Sequence, residues 1–227
     1  MIAKMMTALC VLIICATAMV IPQSPSITRR AIELSKRANV DPSFAEEACK
    51  LWAIILDTDC DGTTDGQMPL PLGAMPAAHA LHASTLVRIG RDKEAMVEYQ
   101  KSLDFLTEGG ALSKTLSKEE AEIRMGMGKS LQRMLRYRDA TDVFLGVAGR
   151  CVGFNANVAS RNEENLGWIK IVHCDSVLRA ALCCTRSGDL ESAISILEKF
   201  EGHDAEIDGM HGALLLMQMH SFNSHLK

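Results

Sequence analysis

Between Asp57 and Gly66 the chain reads Asp-Thr-Asp-Cys-Asp-Gly-Thr-Thr-Asp-Gly. Carboxylates at alternate positions, Asp57, Asp59 and Asp61, with Asp65 beyond them, can bring hard oxygen ligands onto one cation, and Gly62 permits the bend this requires. The same stretch also reads as a solvated acidic turn, because Asp and Gly favour turns for backbone reasons alone. Further along, His79 and His82 stand one helical turn apart, and Arg88, Arg124, Lys129, Arg133 and Arg179 add cationic groups on predicted helices. Six cysteines follow the first twenty residues: Cys49, Cys60, Cys151, Cys174, Cys183 and Cys184. An even number permits disulfides in an exported chain but fixes no connectivity, and those on helices can simply be buried in place of Ala. There is no CxxC or HExxH spacing for zinc, no nucleophile elbow and no phosphate loop. Gly126-Met-Gly128 follows no strand, so it is no dinucleotide fingerprint. These patterns predict a protein without catalytic residues.

The acidic stretch, entered by a helix, resembles the start of an EF-hand calcium loop and also one calcium-binding unit of the thrombospondin type 3 repeats. It departs from the first at Met68, where an EF-hand loop places its bidentate Glu. The exit segment Pro-Leu-Pro-Leu-Gly-Ala-Met-Pro also opposes a regular helix. It departs from the second in being a single copy. The resemblance implies calcium on Asp57, Asp59, Asp61 and Asp65, bound at roughly 10⁻⁴ to 10⁻³ M as in extracellular modules. A plain acidic loop is the other reading.

The elements that must position these groups are helices. From Ala77 to Leu106, apolar residues recur at spacings of three and four on both sides of Gly90, which predicts an antiparallel helix pair. Gly90 sits where a helix C-terminus wants a left-handed residue, and Asp92 and Glu94 follow in the first turn of the next helix. The pattern returns at 123–148 and 177–200. Each copy has a small residue in its first helix and an Ala twelve residues later: Ala83/Ala95, Gly128/Ala140 and Ala181/Ala193. Four residues beyond each Ala stands Tyr99, Phe144 or Leu197, and the turn position is Gly90, Leu135 or Gly188.

This arrangement resembles the tetratricopeptide repeat family, whose helix pairs carry small residues at the same two places and a bulky residue after the second. No copy has the family's Trp or closing Pro, and the spacing between copies is 45 and then 53 residues rather than about 34. The resemblance implies an all-α stack of antiparallel helix hairpins, with additional helices at both ends.

Composition agrees with helix. Aromatic residues make up 4 % and hydrophobic residues 48 %, with 13 Met, so β-branched and aromatic strand patterns are scarce. The net charge of −4 and the lack of any long Lys/Arg cluster exclude a nucleic-acid footprint. Residues 1–18 fit a signal peptide, with Lys4, an apolar run and Ala16-Thr17-Ala18 as a cleavage site. An uncleaved membrane anchor is the alternative. Residues 19–25 are a linker, 26–56 an N-terminal helix hairpin opened by Ser26 or Thr28 and continued after Asp41-Pro42, and 57–76 the acidic loop. Residues 77–227 form the repeat domain, with Ser117 opening the second copy, 149–165 as a long polar connection and a C-terminal capping helix.

The expected function is a secreted, non-enzymatic scaffold that binds a protein or peptide on the concave face of the stack, lined by first-helix residues His79, His82, Arg88, Arg124, Lys129, Arg133 and Arg179. Their charge suits an acidic segment. The alternative is an accessory region that dimerises within a secreted or membrane-bound enzyme system, stabilised by calcium, with membrane contact only through the N-terminal segment.

Overall fold

The structure, a computed structural model, describes residues 26–57, 70–108, 116–158, 163–200 and 209. The N-terminal segment 1–25, Asp59, Asp61 and Asp65 of the acidic loop, and the C-terminal capping helix (Gly209 aside) lie outside them. Among the described residues every regular element is helical: α1 (Ser26–Ala38), α2 (Ala45–Asp57), α3 (Met75–Arg88), α4 (Asp92–Glu108), α5 (Lys118–Arg133), α6 (Tyr137–Val158), α7 (Glu163–Arg186) and α8 (Leu190–Glu198). Short 3₁₀ turns at Pro42–Phe44 and Leu72–Ala74 lead into α2 and α3. No helix among the described residues is long and apolar enough to cross a membrane.

The helices fall into two compact units, Met1–Phe105 and Leu106–Lys227. In the first unit, α1 and α2 form the N-terminal hairpin, and α3 packs against both. The hairpin turn is set locally, because the Asp41 carboxylate accepts from the Ser43 amide at 2.9 Å and Pro42 starts the following turn. Ala31, Trp52 and Ala78, one from each of the three helices, form the core, with Ile32, Leu51, Ile55 and Leu81 packed around them. The Trp52 ring nitrogen donates to Ser35 Oγ at 2.8 Å, and that hydroxyl donates to the Ala31 carbonyl, so the polar edge of the largest core side chain is satisfied. Arg88 at the end of α3 donates to Asn39 Oδ1 in the α1–α2 turn at 2.8 Å. Ser102 of α4 donates to the Pro76 carbonyl of α3 at 2.7 Å.

The three sequence copies share one turn. In each, the amide following the left-handed residue bonds the carbonyl five residues back: Arg91 to Leu86, Arg136 to Leu131 and Asp189 to Cys184, all at 2.9 Å. This is the Schellman closure, and it requires a positive φ at the residue before. That residue is Gly90 at +78°, Leu135 at +60° and Gly188 at +82°. The middle copy therefore holds a branched aliphatic residue in the conformation its counterparts reserve for glycine.

The spacing of small residues is likewise realised. Ala83, Ala95, Ala140, Ala181 and Ala193 are fully buried, as are Phe144 and Leu197. At Gly128 the helices of the second copy approach closest: a Cβ there would lie 2.5 Å from Cε1 of the Phe144 ring. The second copy thus has Gly128 where the others have Ala83 and Ala181.

One helix runs longer than the sequence predicts. The polar stretch after Ala148 reads as a connection, yet α6 continues to Val158; α7 begins at Glu163, where the sequence places the next helix from about Glu164. Val147, Ala148 and Cys151 are fully buried, and α6 packs along α7, so tertiary burial overrides the poor helix propensity of Gly149, Gly153 and Asn155.

Candidate functional site

The first unit buries a polar cluster between α2, α3 and α4. His79 and His82, i and i+3 on α3, both turn toward Glu98 of α4, which stands three residues after the close-packed Ala95. His79 Nδ1 lies 2.7 Å from Glu98 Oε2, and its ring stacks on Phe105 at 5.3 Å. His82 Nδ1 lies 3.3 Å from the same oxygen but is not aligned for a directed hydrogen bond. On its far side, His82 Nε2 is 3.5 Å from Sγ of Cys49, delivered by α2. Lys101 Nζ closes the other carboxylate oxygen at 2.9 Å.

The electrostatics of this cluster follow from burial and pairing. Burial pushes the Glu98 carboxyl up, but His79, His82 and Lys101 together outweigh it and hold the group well below the usual carboxylate range. Glu98 is therefore an anion at any physiological pH. Burial pushes the Cys49 thiol up; Arg91 pulls it down, while Glu94, Glu98 and Glu46 add to the rise. The thiol is consequently neutral at rest. With Glu98 ionised, a proton on His82 Nδ1 avoids setting two lone pairs against each other, and Nε2 is then free to accept from the thiol. The arrangement is a thiol–imidazole–carboxylate relay, in which Glu98 serves His79 better than it serves His82.

The copies themselves show that a helix hairpin does not need this cluster. Forty-five residues on, His79, His82 and Glu98 correspond to Arg124, Met127 and Val143; in the third copy they are Val177, Ala180 and Ile196. Val177 and Ala180 are fully buried, so the same place packs well with apolar side chains.

The second unit carries its charges elsewhere. Glu120 on α5 is 1 % exposed and accepts at Oε1 from Arg124 Nε at 2.7 Å and from Arg150 of α6. Its Oε2 is buried without a hydrogen-bond partner. Glu122, half-buried on the same helix, is pushed up to about 7 by desolvation, against the pull of Lys118 and with a further push from Glu119. Asp175 on α7 accepts from Arg179 Nε at 2.9 Å, with Lys129 Nζ of α5 at 3.9 Å from its other oxygen.

The residues expected to line one groove are thus distributed. His79 and His82 are buried at 4 % and 9 % exposure and belong to the interior of the first unit. Arg88 ties a turn to α3 in that unit. Lys129 and Arg179 are brought together on Asp175, linking the first helices of copies two and three. Arg124 joins Glu120 and Arg150 instead, and Arg133 is exposed beside Ser130. Asp57 ends α2 and is exposed, while its three companions lie outside the described residues. Among the described residues no three His, Cys, Asp or Glu side chains are arranged to hold a metal ion. Cys49, Cys151, Cys183 and Cys184 are free thiols. Sequence reasoning paired the two histidines but missed Cys49 and Glu98, since only the packing of α2 and α4 against α3 brings them in.

Compared with known proteins, the chain matches no family model, no curated protein and no solved structure.

Proposed function

We propose that the protein is a non-enzymatic scaffold of tetratricopeptide type that binds an acidic protein or peptide segment through the second unit. The observation that carries this reading is the convergence of Lys129 and Arg179, from the first helices of two successive copies, on the single carboxylate of Asp175. Both side chains remain about one-third exposed. These two part-exposed cations present positive charge at the seam between α5 and α7, where a ligand carboxylate can approach both. A charge of this kind sets orientation and association rate more than affinity, so binding should weaken steeply with salt. Affinity purification from the native source with wild-type and Lys129→Glu/Arg179→Glu chains tests the proposal. Loss of the principal partner, with the melting transition preserved, is the expected result. An unchanged partner set would end it.

A further inference from the structure

We propose that Cys49 is a modification site: a thiol that a small neutral hydroperoxide oxidises to the sulfenic acid, with His82 as its base and Glu98 as the positioning residue. Three observations carry this. Cys49 Sγ stands 3.5 Å from His82 Nε2, while the opposite ring nitrogen faces the Glu98 carboxylate at 3.3 Å, so a proton leaving sulfur has an acceptor and the resulting imidazolium has a counter-ion. Cys151 and Cys183 are also buried, and among the described residues neither is hydrogen-bonded to an imidazole, while Cys184 meets the Thr141 hydroxyl at 3.7 Å. The relay residues also stand where the other copies accept Met127, Ala180, Val143 and Ile196, so the fold does not by itself call for them.

The enclosure selects the reagent. With 5 % of Cys49 exposed, a bulky or charged electrophile is excluded, whereas hydrogen peroxide is neutral and close to water in size. Because the thiol is protonated at rest, it reacts only as its proton is removed. Sγ attacks the nearer peroxide oxygen; the S–O bond forms as the O–O bond breaks, and the thiol proton passes to His82 Nε2. The imidazolium then protonates the departing hydroxide to water and returns to its neutral form. Sulfur is oxidised, peroxide is reduced, and no other reactant is required. The event is stoichiometric and leaves a sulfenic acid beside His82.

Exposure of the purified full chain to hydrogen peroxide for timed intervals, followed by removal of peroxide and unfolding in urea that contains dimedone so that the trap reaches every sulfenic acid, read cysteine by cysteine by peptide mass spectrometry, tests this. Cys49 should be trapped at least about tenfold faster than Cys151 and Cys183, a floor set by the usual contribution of a positioned base. His82→Gln should bring its rate down to theirs. Glu98→Gln should slow the trapping of Cys49 and Glu98→Asp should restore part of the rate, because the imidazolium formed in the step loses and regains its counter-ion. Trp52 fluorescence in each variant establishes that the first unit is folded. Equal trapping of Cys49 and Cys151 in the wild type, which needs no variant, would overturn the proposal, as would a Cys49 rate indifferent to His82→Gln in the folded chain.

Discussion

Replacing Gly90 or Gly188 with Ala should destabilise the unit that contains it, although no contact seen in the folded chain would change. A Cβ at either position meets nothing within 4 Å, so sterics with neighbours contribute nothing and the effect isolates the backbone. Holding an L-residue in the left-handed region costs about 1–2 kcal/mol. Against that, Ala restricts the unfolded chain and gains about 0.4–1 kcal/mol. The difference is a loss of about 0.5–1 kcal/mol. Leu135→Gly runs the same exchange backwards at φ +60°. With 71 % of Leu135 exposed, little burial is forfeited, and the expected gain is about 0.5 kcal/mol. Each unit holds one tryptophan, Trp52 in the first and Trp168 in the second. Urea unfolding of Trp168→Phe chains therefore reports Gly90→Ala, and Trp52→Phe chains report Gly188→Ala and Leu135→Gly. At a slope of about 2 kcal/mol/M, midpoints should fall by about 0.25–0.5 M for the two Ala variants and rise by about 0.25 M for Leu135→Gly. A Gly90→Ala chain as stable as its parent, or more so, would refute the argument, since that is the outcome for a glycine whose backbone any residue can adopt.

Gly128→Ala should cost about 1–3 kcal/mol, because the new methyl group collides with a fully buried Phe144 ring, and adding Phe144→Leu should recover part of that loss in a double-mutant cycle followed by urea denaturation. Glu122 has a folded-state pKa of about 7 against an unfolded value of 4.5, so the folded chain retains a proton between those limits. Its contribution to stability is present below pH 4.5 and lost as pH rises toward 7; Glu122→Gln should flatten that slope and raise stability at pH 7.5 by about 1–2 kcal/mol, checked by melts across the range.

Much of the fold was legible in local pattern. The twelve-residue interval from Ala83 to Ala95, repeated at Gly128/Ala140 and Ala181/Ala193, specifies close helix approach in a way that depends on nothing distant. The turn positions follow from it, and Leu135 was identifiable as the odd member before its φ was known. Asp41-Pro42 and Ser117 announce helix starts through side-chain oxygens that accept local amides, as both do. Where the reading failed, long-range burial decided. The glycines and asparagines after Ala148 carry weak local signals, and burial of Val147 and Cys151 outweighs them. The site was hardest for the same reason. Periodicity puts His79 and His82 on one face of α3, but it does not say whether that face meets solvent or a neighbouring helix. Cys49 is 33 residues from His82 and Glu98 is 16 beyond it, and neither separation has a sequence signature.

The unequal interiors of the three copies have a consequence for assembly. Chains built from similar hairpins risk pairing a first helix with the wrong second helix, because backbone geometry alone does not distinguish the partners. Here each hairpin carries its own identity check. Pairing α3 with α6 would set Val143 where Glu98 belongs and strand the His79 imidazole against aliphatic carbon, while α8 opposite Gly128 would set Leu197 where the Phe144 ring belongs and leave part of its hollow unfilled. A buried polar group without a partner and an unfilled hollow each cost on the order of 1–3 kcal/mol, a sizeable share of the margin by which a small unit is folded at all. Kinship between the copies thus stops at the turns and the small-residue contacts, and a recombinant that exchanged one second helix for another would be expected to fold poorly even with every turn intact.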